Sequence, residues 1–360
     1  MSHVYDLYYK AFETLRRMRE IKSVEDNEQY CKVVSETLQE HLTVIPRLAM
    51  GVLECQDLIR PEEMDKFMNT LLRSVGSLKL QHAQTLILLQ RISRRVIAEQ
   101  HLALTETFNS PWHFPNAKAQ IDPNSEFVGE VFLRCNAREV VEACWNRAST
   151  LAKEAYGSSC ILPGIRIEGH LDATFPYILS HLQYVIGELL RNSIQAVVER
   201  RSVPTKGPQP IDVLICEAPQ HVIIRISDQG GGIPNEVMPE LWSFSKGPRS
   251  QTHLSNLSQV PKMAATMQEL KLPNPSSDKP IVSDGNKKRS YDGSLGSLTS
   301  RPPNLRLGMG LPMSRVYAEY WAGLLELHSL EGYGVDAFLQ ISKLGNKNEQ
   351  LSTRASMDAV

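Results

Sequence analysis

Three short stretches of this chain combine residue types and spacings that could do chemistry together. In Gly187-Glu188-Leu-Leu-Arg191-Asn192 a carboxylate and a carboxamide stand at i and i+4, so on a helix both project from one face. Asp228 closes an alternating run, Val222-Ile-Ile-Arg-Ile-Ser-Asp228, and Gln229-Gly230-Gly231-Gly232-Ile-Pro234 follows at once. Gly308-Met309-Gly310-Leu311 precedes an apolar helical stretch, where glycine lets backbone N–H groups approach a phosphate at the helix N-terminus. Each stretch alone has a plainer reading: a solvated or capping pair, a turn, ordinary loop punctuation. Their order and context favour a shared site.

The elements that must position these residues follow an α/β pattern. Helices are expected over Val140–Tyr156, Leu182–Arg200 and Pro312–Trp321, and strands over Ile165–Glu168, Ile211–Cys216 and His221–Asp228. Leu324–Leu330 and Val335–Ile341 read as a hairpin across Glu331-Gly-Tyr-Gly334. Residues 1–115 read instead as an antiparallel helical bundle, because no strand-like alternation interrupts them. There Tyr5, Tyr8, Phe12 and Leu15 suggest a core face. One helix should open near Ser23 and Asp26 and run toward Leu53, and another should follow Pro61-Glu-Glu63 to about Leu104. The fold expected is α+β: an N-terminal helical bundle, a linker at 116–127, an α/β sandwich with a mixed sheet over 128–345, and a tail at 346–360.

Two stretches break these patterns. Residues 75–90 interrupt an amphipathic helix: sixteen extra residues at about 100° each carry its apolar stripe to the wrong side. This segment opens with Val75, whose codons begin GT, and closes with Gln90, which CAG can encode. Those are intron borders, so a retained intron is expected, with a bulged or extended helix as the alternative. Residues 246–307 are polar, rich in Pro, Gly and Ser, and without a hydrophobic period, which suits a long mobile segment between the two glycine motifs.

Bulk properties exclude several classes. The 360 residues are 42% hydrophobic and 22% charged, as in a globular protein. A net charge of −1 gives no overall field for nucleic acid or a membrane surface, and no apolar run reaches the length of a membrane span. Six scattered cysteines lack Cys-x-x-Cys and His spacing, so they are expected as buried thiols in a reducing compartment rather than a zinc site. The opening residues carry Asp6 and Glu13 and do not read as a signal or transit peptide.

The ordered set resembles the nucleotide site shared by gyrase, the heat-shock chaperone ATPases, histidine kinases and the mitochondrial dehydrogenase kinases (the Bergerat ATPase fold). Longer strings are similar to the mitochondrial pyruvate and branched-chain 2-oxoacid dehydrogenase kinases. These are Asn27-Glu-Gln-Tyr-Cys31, His41-Leu-Thr-Val-Ile-Pro-Arg-Leu-Ala-Met-Gly51, Gly310-Leu-Pro-Met-Ser-Arg-Val-Tyr-Ala-Glu-Tyr320 and Glu326-Leu-His-Ser-Leu-Glu-Gly-Tyr-Gly334 with Asp336. The resemblance spans about 4–342. It implies transfer of phosphate from MgATP, with K+ as a further ion, to serine on the decarboxylase alpha subunit of a 2-oxoacid dehydrogenase complex. It also implies docking on the lipoyl-bearing core, a homodimer and a matrix location, with no nucleic-acid or membrane partner.

By that resemblance Glu188 is the general base, Asn192 the Mg²⁺ ligand, and Asp228 the acceptor from the adenine amino group beside Gly230, Gly231 and Gly232. Gly308, Met309, Gly310 and Leu311 would present N–H groups to the phosphates, and 246–307 would be the ATP lid. His101-Leu-Ala-Leu104, Arg166 to Pro176, Arg225-Ile-Ser-Asp228 and Tyr184 lean toward the branched-chain branch without settling the substrate. Departures from the family pattern are Arg191 for Lys, Val335 for Thr, Gln229 for a frequent Arg, the long lid, and a start lacking the presequence and first helical segment. A histidine kinase would need an acceptor His, typically followed by Glu, and none of the ten histidines precedes Glu. An ATP-driven clamp without a phosphoprotein product, and a kinase-like scaffold that binds ATP without transfer, use the same nucleotide residues and remain alternatives.

Overall fold

The computed structural model describes residues 2–41, 44–55, 58–72, 91–109, 127–128, 131–157, 160–200, 207–244, 256, 301 and 303–343. The suspected insert at 75–90, nearly all of the linker, most of the lid and the tail lie outside the described residues.

The chain is α+β. Its first half supplies α1 (Ser2–Arg16), α2 (Val24–Glu40), α3 (Val44–Glu54), α4 (Pro61–Leu72) and α5 (Arg91–Asn109). A capping box starts α2: the Ser23 hydroxyl accepts from the Asp26 N–H at 3.1 Å, and Asp26 Oδ2 accepts from the Ser23 N–H at 3.0 Å. The single helix expected from Ser23 toward Leu53 is in fact two, α2 ending at a cap on His41 and α3 starting at Val44. Pro46, which has no N–H to donate, falls in the first turn of α3, where a helix start tolerates it and a continuing helix would not.

The expected core face of α1 also needs correction. Tyr5, Phe12 and Leu15 are 68%, 42% and 40% exposed, whereas Val4 and Tyr8 are buried. Val4, Tyr8 and Ala11 repeat at helical spacing as well as Tyr5, Tyr8, Phe12 and Leu15 do, so periodicity alone could not choose between the stripes. The Tyr8 ring, 4.9 Å from that of His41, marks the inner one.

The second half opens with a small antiparallel sheet not foreseen from the sequence: β1 (Phe127–Val128), β2 (Val131–Asn136) and β4 (Thr174–Ile178) in the order β1-β2-β4. Phe127, expected as the last linker residue, opens it. Pro176 argues against a strand, but β4 is an edge strand, where a missing N–H is tolerated. Between β2 and β4 come α6 (Ala137–Tyr156) and β3 (Ile165–Gly169). There follow α7 (Leu179–Glu199), β5 (Ile211–Glu217), β6 (His221–Asp228), α8 (Gly310–Tyr320), β7 (Leu324–Leu330) and β8 (Gly334–Ser342).

The main sheet runs β3-β5-β6-β8-β7, with β3 and β5 parallel and its other neighbours antiparallel. Alternate residues bury one of its faces: Ile211, Val213 and Ile215 on β5, Val222, Ile224 and Ile226 on β6, Ala337, Leu339 and Ile341 on β8. Asp228 falls in the same register as Ile226, so the strand's period turns a carboxylate toward the buried side, where α7 lies. That helix is buried almost all round, and Asn192 is an exposed exception. The two halves meet where the Phe244 N–H donates to Asp65 Oδ1 of α4 at 2.7 Å.

Of the six cysteines expected as buried, Cys135 and Cys144 are; Cys31, Cys55 and Cys160 are partly so, and Cys216 is exposed where β5 runs out of cover. All are free thiols. Among the described residues no helix is long and apolar enough to cross a membrane.

Candidate functional site

A cavity of about 280 Å³ opens between α7, the start of α8 and the segment leading into it. Glu188 and Asn192 line it from one face of α7; Gly308, Gly310 and Leu311 line it from the opposite wall. Five of the ten residues singled out from the sequence therefore share one cavity. The side chain of Met309 is buried, and its carbonyl accepts from the Met313 N–H at 3.0 Å, so it anchors the first turn of α8.

Glu188 is fully buried. One carboxylate oxygen pairs with Arg191, one helical turn on, and the other accepts from Arg301 Nη2 at 2.7 Å. Burial alone would raise this carboxyl; the two guanidinium groups overcome it and hold the acid below its ordinary range. Gly310 is required by this arrangement, because a Cβ there would collide with Glu188 Oε2. The carboxylate thus lies against the first residue of α8, where the helix dipole favours negative charge. Tyr184, one turn earlier and wholly buried against Tyr317, is held far from ionisation by the same burial.

Asp228 and Gly230–Gly232 form a second cluster, adjoining the cavity through Ile233 but not lining it. Asp228 Oδ1 accepts from the Gly230 N–H and Oδ2 from the Ser193 hydroxyl, each at 2.9 Å. Burial raises the Asp228 carboxyl, partly opposed by these bonds and by the Val335 backbone N–H. Val335, the departure from Thr, therefore still supports Asp228 through a backbone donor that most residues would supply. The glycine turn is tied to the hairpin between β7 and β8: Gly231 N–H donates to Tyr333 O at 3.0 Å, and Gly332 N–H to Gly231 O at 2.7 Å. Gly232 has φ +74°, and a Cβ there would strike the Leu330 carbonyl.

Three residues here were not found from the sequence. Ser193 supports Asp228. Arg301 pairs with Glu188 from a stretch whose composition gives no signal. Arg200, just past α7, donates from Nη1 to Gln229 O and Tyr333 O at 2.7 Å each and from Nη2 to Gly332 O at 2.6 Å. The available signal was chemical: a buried carboxylate on an apolar helix demands partners.

The arrangement offers a carboxylate, an exposed carboxamide and several guanidinium groups around one cavity. Residues 1–132 match the family described as mitochondrial branched-chain alpha-ketoacid dehydrogenase kinase. Residues 178–343 match the histidine kinase-, DNA gyrase B- and HSP90-like ATPases. The mitochondrial pyruvate dehydrogenase (acetyl-transferring) kinase 2 of Saccharomyces cerevisiae is 30% identical over 379 residues, covering 97% of this chain and 71% of that protein. The mitochondrial pyruvate dehydrogenase (acetyl-transferring) kinase of Arabidopsis thaliana is 28% identical over 348 residues, covering 97% and 77%. That of Drosophila melanogaster is 24% identical over 365 residues, covering 98% and 71%. With 97% of the chain matched to a relative 30% identical and each half recognised separately, the chain belongs to the mitochondrial 2-oxoacid dehydrogenase kinase family, its C-terminal half being that family's ATPase domain.

Proposed function

We propose that this protein transfers the terminal phosphate of ATP to a serine on the decarboxylase alpha subunit of a 2-oxoacid dehydrogenase complex and thereby inactivates it. The observation that carries this reading is the placement of Glu188 and Asn192 on one helix face, both lining the cavity that Gly308 and Gly310 close from the other side. In the step proposed, the serine oxygen forms a bond to the γ-phosphorus and the bond to the β,γ-bridging oxygen breaks. ADP leaves, and the serine proton passes to Glu188.

Asp228 would hold the adenine amino group, with Gly230, Gly231 and Gly232 keeping that end free of side chains. Gly308, Met309, Gly310 and Leu311 would turn backbone N–H groups toward the phosphates. Among the described residues no three His, Cys, Asp or Glu side chains converge on a point. A metal here would therefore rest on Asn192 and on phosphate and water oxygens, which suits Mg²⁺, a cation that keeps few protein ligands. It would supply charge neutralisation across the phosphates. No residues are assigned to K+.

The acceptor we favour is the pyruvate complex, since the three relatives named above, each matched by nearly the whole of this chain, are pyruvate dehydrogenase kinases. The match of residues 1–132 to the branched-chain kinase supports the branched-chain complex as the second reading. Docking on the lipoyl-bearing core, a homodimer through the ATPase halves and a matrix location belong to the same proposal. So does the retained intron at 75–90, which transcript sequencing across residues 74–91 tests.

Labelled ATP with purified pyruvate and branched-chain complexes is the direct experiment. Serine labelling of one complex, lost in Glu188→Gln, is expected and names the acceptor. ATP binding with neither complex labelled would replace the kinase reading with that of a scaffold subunit.

A further inference from the structure

Beyond its pairing with Glu188, Arg301 is one of the few buried charges among the described residues, 4% exposed. Its Nε donates to Leu305 O at 3.1 Å, which fixes the guanidinium relative to the strip running into Gly308. Its Nη2 is on Glu188 Oε2 at 2.7 Å, and the group also lines the cavity. Glu188 thus has both oxygens committed to guanidinium groups. Two cations beside it lower the basicity of this carboxylate, so release of one partner makes Glu188 the better proton acceptor.

Arg191 is ill suited to leave, because it rides on α7 one turn from Glu188 and keeps its distance whatever else moves. Arg306 also lines the cavity but is anchored to Glu199 on its rim, at 2.6 Å. Arg301 alone of the three joins Glu188 from a different segment while facing the same cavity. A triphosphate entering there brings more negative charge than one carboxylate and oxygens that a guanidinium can grip in pairs.

We propose that Arg301 is an exchanging ligand: it holds Glu188 in the nucleotide-free enzyme and passes to the ATP phosphates on binding, releasing the base as it neutralises the group to be transferred. This assignment rests on the nucleotide-site reading above. It makes Arg301 a phosphate-contacting catalytic residue and makes the freeing of Glu188 depend on the number of phosphates bound.

The test is a nucleotide ladder on the full-length protein, measuring affinity for AMP, ADP and ATP by calorimetry in wild type and Arg301→Gln, with melting curves as the folding control. Arg301→Gln is expected to leave AMP unchanged, to weaken ADP modestly and to weaken ATP roughly tenfold or more. Its kcat/KM for ATP should fall with the affinity. Arg301→Lys keeps the charge but not the paired grip, and it serves if the glutamine variant does not fold. It should lose several-fold on ATP and nothing on AMP. Equal losses for all three nucleotides, no loss, or a raised kcat with ATP affinity intact would each make Arg301 a plain staple and overturn the proposal. If wild type itself binds ATP no better than AMP, the nucleotide-site reading fails instead, so the two failures are separable.

Discussion

His181 stands two turns before Glu188 on α7 and is 4% exposed, its ring tilted against that of Tyr317 at 4.5 Å and bordered by Tyr320, both on α8. Its Nδ1 accepts a hydrogen bond from Trp321 Nε1 at 3.4 Å, which requires the neutral ring with its proton on Nε2. Burial, with help from Arg95 of α5, brings its pKa down from 6.5 to about 3. A depressed folded-state value means that the stability is complete above the unfolded value and is lost as the pH falls toward about 3. At pH 5 the unfolded chain carries a protonated imidazole about thirty times more often than a neutral one, while the folded chain carries almost none. The difference is about 2 kcal/mol. Replacing His181 with Asn keeps an acceptor for Trp321 and removes the titration. Urea unfolding followed by tryptophan emission, at pH 7.5 and pH 5, should find wild type losing about 2 kcal/mol more than His181→Asn between the two conditions. Parallel losses would mean that His181 is hydrated or already charged in the folded protein, and the account of the α7–α8 contact would be wrong.

Other outcomes follow from the glycine turn, the acid it supports and the thiols. Gly232→Ala should lower stability by about 2–3 kcal/mol in urea melts, because positive φ and the Leu330 carbonyl both oppose a Cβ; unchanged stability would contradict the turn's geometry. Asp228→Asn removes the charge and one of the two acceptor oxygens of this side chain, and should weaken AMP, ADP and ATP alike by roughly tenfold. A loss confined to ATP would move Asp228 away from the adenine end. With a chromogenic disulfide, exposed Cys216 should react at once in the native protein. Cys135 and Cys144, raised by burial to about 11 and about 12, should react only on unfolding.

The sheet and its flanking helices were legible because their patterns are local. Val222 to Asp228 alternates cleanly, and α7 and α8 begin and end within a few residues of where their apolar runs suggest. What escaped was decided by partners distant in the chain. Nothing near Tyr5 says which apolar stripe of α1 faces inward; α2 and α3 decide that. The short strand with Pro176 exists because β2, some forty residues earlier, pairs with it. Glu188 and Asn192 could be picked out by spacing, but the commitment of Glu188 to two arginines could not. Arg301 lies 113 residues away, in a polar stretch without a hydrophobic period.

The Arg200 clamp has a consequence for synthesis. The carbonyls it gathers come from the turn after β6 and from the hairpin before β8, over 130 residues beyond Arg200 itself. β8, the last described strand to leave the ribosome, is not an edge: it inserts between β6 and β7 and brings Val335 alongside Asp228. A nascent chain that has made α7 and β6 but not β8 has every residue expected to hold adenine, yet lacks the β8 pairing and the hairpin carbonyls that fix the glycine turn. Premature stop codons anywhere before β8 should therefore abolish nucleotide binding outright rather than leave a weakened binder, and no truncated product would compete for the cell's ATP.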